Sequence, residues 1–152
     1  MQSLPLLLIV DDNDDDIFFL RAALKKVGLQ FSIQEMRNGV EAMEYLAGAG
    51  RFANRQAFPF PTLMILDLQM PLSDGFALLD WISLQPSLRP PTVVVLSASA
   101  RPADIERVAA AGTALAYFVK SLSSESMIAM AQCLRDCAQH NRLFNLGQPA
   151  AG

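Results

Sequence analysis

Four short apolar runs constrain this chain more than anything else in it, because each one stops at a polar residue. Leu6-Leu7-Leu8-Ile9-Val10 runs into Asp11-Asp12, and Leu63-Met64-Ile65-Leu66 into Asp67. Val93-Val94-Val95-Leu96 meets Ser97, and Ala116-Tyr117-Phe118-Val119 meets Lys120. Runs this short and unbroken, with helical patterns between them, read as central strands of a parallel sheet covered on both faces. Open α/β sheets bind ligands beyond the carboxyl ends of their strands. Three carboxylates, a hydroxyl and an ammonium are therefore expected in one crevice.

The helical stretches between the runs complete an alternating α/β pattern. Helix one follows the acidic cluster, with Ile17, Leu20, Leu24 and Val27 spaced to face a sheet and Gly28 stopping it. Phe31 and Ile33 mark the second strand. Asn38 caps helix two, and Glu41 completes a capping-box pattern. Val40, Met43 and Leu46 read as that helix's inward positions. The segment from Arg51 to Pro61 carries Phe52, Phe58 and Phe60 among polar residues and prolines, and is read as packing on the end of helix two. Helix three follows a Met70-Pro71-Leu72-Ser73-Asp74-Gly75 turn and runs to about Gln85, before Pro86. Helix four starts near Pro102 and stops at Gly112. Ser123 or Ser124 caps helix five, whose apolar positions are Met127, Met130/Ala131, Leu134 and Ala138, and residues 145–152 read as a frayed tail.

A length of 152 residues suits one domain with a full core, spanning 1–152 and without a linker or internal repeat. The net charge of −3 leaves no electrostatic footprint for nucleic acid. Five of the fifteen acidic residues (Asp11, Asp12, Asp14, Asp15 and Asp16) crowd into six positions. Such a cluster repels itself unless a cation binds there. No apolar stretch reaches the ~18 residues that a membrane span needs. The N-terminal leucines lack a preceding basic residue and a cleavage site, so a buried strand in a cytoplasmic protein is expected. Cys133 and Cys137, with His140 nearby, read as reduced thiols on a helix; a zinc site needs more ligands.

A carboxylate attacks phosphorus to form an acyl phosphate, provided a divalent cation neutralises the non-bridging oxygens. Mg²⁺ favours carboxylates, water and phosphate oxygens. Asp67 with Asp11 and Asp12 on the neighbouring strand meets both needs, while Lys120 and Ser97 are suited to phosphate oxygens. No glycine-rich loop appears, so side chains and metal cradle the phosphate.

In that order, the strand-end Asp-Asp, Asp, Ser and Lys resemble the receiver domain of two-component response regulators. The run Asp67-Leu68-Gln69-Met70-Pro71-x-x-Asp74-Gly75 carries the most specific part of the resemblance. It extends over about Leu6 to Gln139 and implies a doubly wound, flavodoxin-like sheet of five parallel strands in the order 2-1-3-4-5. It further implies that Asp67 accepts the phosphoryl group, that Asp12, Asp67 and the Gln69 carbonyl ligate Mg²⁺, and that Asp11 binds it through water. Ser97 would move to the phosphoryl group and Lys120 would pair with it, while Tyr117 would swing inward as an aromatic switch. Gln69 and Ser99 occupy the positions that tune dephosphorylation in this family. Ser121 stands where receivers usually carry a proline after the lysine.

The Lys-Ser pair and the long Arg51–Pro61 segment resemble stand-alone receivers that partner phytochrome-type histidine kinases. The implied protein is not an enzyme beyond catalysing its own phosphorylation and dephosphorylation. It would signal through helix four and strand five, and it would dimerise through the face formed by helix four, strand five and helix five, which Leu143-Phe144 would extend. Phe18 or Phe19 would dock the kinase; with Phe76 and Trp81 they read either as single incidental exposures or, if clustered, as an apolar partner surface. Two alternatives stand beside this reading. A haloacid-dehalogenase-like phosphatase needs a second aspartate two residues after the nucleophile, where Gln69 stands. A receiver-fold interaction module would not be phosphorylated at all.

Overall fold

The computed structural model describes residues 4–70, 74–85, 90–120 and 125–139. Five strands, β1 (Leu6–Val10), β2 (Ser32–Met36), β3 (Leu63–Leu66), β4 (Thr92–Ser97) and β5 (Ala114–Val119), form one parallel sheet in the order β2-β1-β3-β4-β5. Helices α1 (Asp14–Lys26), α2 (Gly39–Ala47), α3 (Gly75–Ser83), α4 (Pro102–Ala111) and α5 (Glu125–Gln139) connect or flank the strands. No helix among the described residues is long and apolar enough to cross a membrane.

Because successive strand residues point to opposite faces, each central strand feeds two cores. Leu7, Ile9, Leu63, Ile65, Val94 and Leu96 pack with α1 and α5 through Ile17, Leu20, Leu24, Met127, Met130 and Leu134. Leu6, Leu8, Val10, Met64, Leu66, Val93 and Val95 pack beneath α2, α3 and α4. The unbroken apolar runs are thus the signature of a sheet with two covered faces.

Helix two turns its apolar face differently from the spacing argument. Val40 is 45% exposed, whereas Ala42, Tyr45 and Leu46 are buried and Met43 is half-buried. Tyr45 wins the inward position because Phe52 and Phe58 cover it, with ring centroids at 5.0 and 6.2 Å. The segment after α2 therefore packs on that helix's end: Phe52 is buried on a single 3₁₀ turn, Gly50–Phe52, and Arg55 hydrogen-bonds the carbonyls of Tyr45 and Leu46, each at 2.8 Å. Gly48 takes a left-handed φ of 65°, and a Cβ there would lie 3.0 Å from the Arg55 guanidinium.

Phe76 and Trp81 are half-buried against the second core, so they do not join an exposed apolar patch. Arg107 covers Phe76, with its guanidinium carbon 4.1 Å from the ring centroid. Phe18 and Phe19 do stand out of α1, 68% and 46% exposed. Helix α3 ends at Ser83, slightly short of Gln85, and β5 begins at Ala114. The β5 ladder skips Leu115, because Val93 pairs with Ala114 and Val94 with Ala116. Cys133 is exposed on α5. Pro71 to Ser73, Pro86, Ser121 with its peptide to Lys120, Ser123, Ser124, His140, Leu143-Phe144 and the 145–152 tail lie outside the described residues, as do the side chains of Cys137 and Ala138.

Candidate functional site

The ladder continues one residue past the strands and thereby aligns the site. The Asp11 N–H donates to the Met36 carbonyl at 3.0 Å, the Asp67 N–H to Val10 at 2.9 Å, and the Lys120 N–H to Ser97 at 2.7 Å. Alternation then decides which side chains meet. Asp11 and Asp67 each follow a residue of the α2–α4 core, and Lys120 lies two past Phe118, which packs on the α1–α5 core. All three belong to the α1–α5 side.

There they converge. The Lys120 ammonium donates to Asp11 Oδ2 and Asp16 Oδ2 at 2.8 Å each, and to Asp67 Oδ2 at 3.1 Å. The side chains of Lys120, Asp11 and Asp67 are under a tenth exposed. Burial by itself would lower the lysine pKa. Its hydrogen bonds to Asp11 and Asp16 and the nearby charges of Asp11 and Asp67 outweigh it, so the ammonium is held well above its ordinary range and stays charged. Burial pushes the Asp11 carboxyl up, against the opposing pull of its bonds to Lys120 and the Asn13 N–H.

Asp12 is the exposed member of the group, and one oxygen from each of Asp11, Asp12 and Asp67 lies within 4.8 Å of the others. Oxygen-only donors at this spacing fit a hard divalent cation such as Mg²⁺. Asp67 is fixed further by the Gln69 N–H, which donates to its Oδ1 at 3.1 Å. Gly75 makes the close packing behind it feasible. A Cβ there would meet the Asp67 carbonyl oxygen at 2.6 Å and the Leu68 Cα at 2.8 Å. Asp74 caps α3 through the Ala77 N–H at 2.9 Å. A cleft of about 400 Å³ opens beside the carboxylates, lined by Asp12, Gln69, Met70, Arg101 and Asp104 among others.

Ser97 and Tyr117 lie on the other side of the sheet edge, in one hydrogen-bonded chain through Ser99. The buried Ser97 Oγ accepts the Ser99 N–H at 3.2 Å, and the Tyr117 hydroxyl donates to the Ser99 carbonyl at 2.7 Å. The Ser99 hydroxyl donates to Asp104 in the first turn of α4 at 2.5 Å. Sequence reasoning placed Asp11, Asp12, Asp67, Ser97 and Lys120 at the strand ends, and there they lie, while Tyr117 lies within β5. It missed Asp104, for which the sequence carries no signal, and Asp16, which it read as part of a helix-start charge cluster. Asn13 three residues earlier, a good N-cap, could have put Asp16 in the first helical turn.

Comparisons with known proteins agree with this geometry. The family model described as the response regulator receiver domain matches residues 7–132. The chain is 31% identical over 125 residues to the Probable methanogenesis regulatory protein FilR2 of Methanothrix harundinacea, covering 80% of this chain and 76% of that one. The phosphorylated cyanobacterial phytochrome response regulator RcpA is 30% identical, with a TM-score of 0.78 over 89% of this chain and 94% of that one. The Mn²⁺-bound form of response regulator Rcp1, a Synechocystis protein, is 26% identical, with a TM-score of 0.77 over 97% of this chain and 99% of that one.

Proposed function

This chain belongs to the response regulator receiver family, and from that we propose that it takes a phosphoryl group from a histidine kinase onto Asp67. The observation that carries this reading is the buried Lys120 ammonium seated between Asp11, Asp16 and Asp67, with Asp12 beside them. A merely structural lysine has no use for so many carboxylates. In the transfer, an Asp67 carboxylate oxygen bonds to phosphorus as the phosphorus–nitrogen bond of the kinase phosphohistidine breaks. The departing imidazole keeps the electron pair and takes up a proton. The cleft beside Asp12 and Gln69 is the approach for the donor.

Asp11, Asp12, Asp67 and the Gln69 carbonyl would hold Mg²⁺, which when bound neutralises phosphoryl oxygens. The likeness to a Mn²⁺-bound regulator supports a divalent ion here. Lys120 offers an N–H to a phosphoryl oxygen in place of Asp67 Oδ2. Ser97 pairs with another through its O–H, which the accepted Ser99 N–H leaves available to donate. A shift of Ser97 toward that oxygen pulls on the Ser99 backbone to which Tyr117 is tied, so one new bond at the site alters the α4–β5 face. Gln69 and Ser99 gate the water that removes the phosphoryl group.

The kinase is inferred to be of the phytochrome type, as in the named relative RcpA. Phe18 and Phe19 supply its docking contact on α1; Phe18→Ser should slow kinase-dependent transfer and spare a small donor, and equal losses with both donors would refute the contact. Ile105, Leu115 and Val119, 36%, 53% and 36% exposed, support a homodimer through α4, β5 and α5, which a rise in solution mass on phosphorylation tests. The same reading puts the protein in the cytoplasm. Intact mass after incubation with acetyl phosphate and Mg²⁺ tests the whole proposal. One added phosphoryl group on wild type and none on Asp67→Asn is expected. No addition to folded wild type would leave a receiver fold that serves only as an interaction module.

A further inference from the structure

We propose that Asp16 is a positioning residue of the acceptor site, holding the Lys120 ammonium so that one of its N–H bonds points at Asp67; this rests on the phosphoryl-acceptor reading above. An ammonium has three donors, and Lys120 spends them on three carboxylates, with the bonds to Asp11 and Asp16 shorter (2.8 Å) than that to Asp67 (3.1 Å). Two donors are thus anchored and the third is presented to the acceptor. A phosphoryl oxygen on Asp67 takes over that third bond without any change in the other two, which is how a preorganised donor differs from a mobile surface lysine.

The start of α1 is folded to make this possible. Asp11 accepts the Asn13 N–H through Oδ1 at 2.9 Å, which leaves its Oδ2 for Lys120. The Asn13 side chain accepts the Asp16 N–H at 3.0 Å and fixes the first turn of the helix. Asp11, Asn13, Asp16 and Lys120 therefore close a ring of hydrogen bonds. The neighbouring carboxylates have other fates: Asp14 pairs with Arg37, and Asp15 is exposed. Proximity in sequence does not make these three equivalent.

Competitive acetylation followed by mass spectrometry reads the ammonium directly, because Lys25 and Lys26, the other two lysines, are exposed and serve as internal references. In Asp16→Asn, Lys120 should react about tenfold faster relative to those references than in wild type, the size of one lost charge-assisted bond. Asp15→Asn, which removes the same charge one residue away, should match wild type. Asp16→Glu, which keeps a carboxylate within reach, should restore slow labelling. Phosphoryl uptake from acetyl phosphate should fall about tenfold in Asp16→Asn and should fall no further when that change is added to Lys120→Met. Unchanged Lys120 labelling in Asp16→Asn, or an equal effect from Asp15→Asn, would overturn the proposal. Wild-type uptake by Asp16→Asn would overturn it too. If wild type takes up no phosphoryl group, the acceptor reading fails by itself, and the labelling ratio still decides whether Asp16 holds the lysine.

Discussion

At the carboxyl edge of the sheet Lys120 hydrogen-bonds three carboxylates, while beyond α2 Arg55 hydrogen-bonds three carbonyls, those of Tyr45, Leu46 and Phe58. Both are cations with three acceptors each, local in sequence for Arg55 and distant for Lys120. Arg55 meets neutral acceptors at the end of a helix, where a positive charge is favoured, and its planar fork lies over Phe60 and Tyr45. Every acceptor it meets there is neutral. Around Lys120, by contrast, Asp11, Asp12, Asp16 and Asp67 set four carboxylates against one ammonium. The excess negative charge invites a metal ion, and the shared ammonium is available to a new anion. A hub becomes a site when it gathers more carboxylates than its cation neutralises.

The comparison can be strained at either end. The largest expected effect lies at the aromatic end: Phe52→Ala should cost about 3–5 kcal/mol of stability in a denaturant titration, because a buried ring leaves a cavity between Tyr45 and Phe58. Phosphoryl uptake, measured well below the unfolding midpoint, should not change. Lys120→Met comes next and should reduce uptake by about 100-fold or more, equivalent to roughly 2.7 kcal/mol of transition-state stabilisation. Its unfolding midpoint should drop without divalent cation and recover with it, since Asp11 and Asp67 are left buried without their partner. If Lys120→Met accepts phosphate at the wild-type rate, Lys120 is a structural tie like Arg55.

Arg55→Leu should cost about 2 kcal/mol by removing the donor to the Leu46 carbonyl and one of two donors to that of Tyr45, and should again leave uptake intact. A loss of uptake there would join the two regions that the comparison separates. The smallest effect concerns pH. Asp11 has a carboxyl raised by burial, so its contribution to stability is complete below the pKa of a free aspartate and is lost as pH rises through its own higher value. Ionised Asp11 is therefore a cost at neutral pH in the absence of metal. Asp11→Asn should raise the metal-free melting temperature at pH 7, with the gain shrinking as pH falls toward that of a free aspartate. The Arg55 region, where the acceptors are neutral carbonyls that do not titrate, should show no such dependence over that range.

Much of the site could be read along the chain because it sits where the pattern changes. An apolar strand residue followed by Asp, Ser or Lys marks a sheet edge, and parallel pairing brings such edges together. Asp67 and Lys120 are 53 residues apart and still meet by this rule alone. Gly75 was legible as part of a motif, though its reason, contact with the Asp67 carbonyl, was not. The face of α2 was misjudged for a related cause. Spacing within nine residues allows Val40 or Tyr45 to face inward, and Phe52 and Phe58, outside the helix, decide between them.

The sequence by itself determined the strands, their two covered faces, the alternation of elements and the residues standing at the sheet's edge. Those follow from periodicities of two and 3.6, which are properties of neighbouring residues. Tertiary structure alone decided which of Asp14, Asp15 and Asp16 reaches a lysine 104 residues away, and which hydroxyl bonds Asp104. Such choices depend on the rotation of α1 and α4 about their own axes. Apolar spacing tells which stripe of α1 faces inward, but where α5, β5 and α3 lie against these helices is set by tertiary packing, which no local pattern encodes.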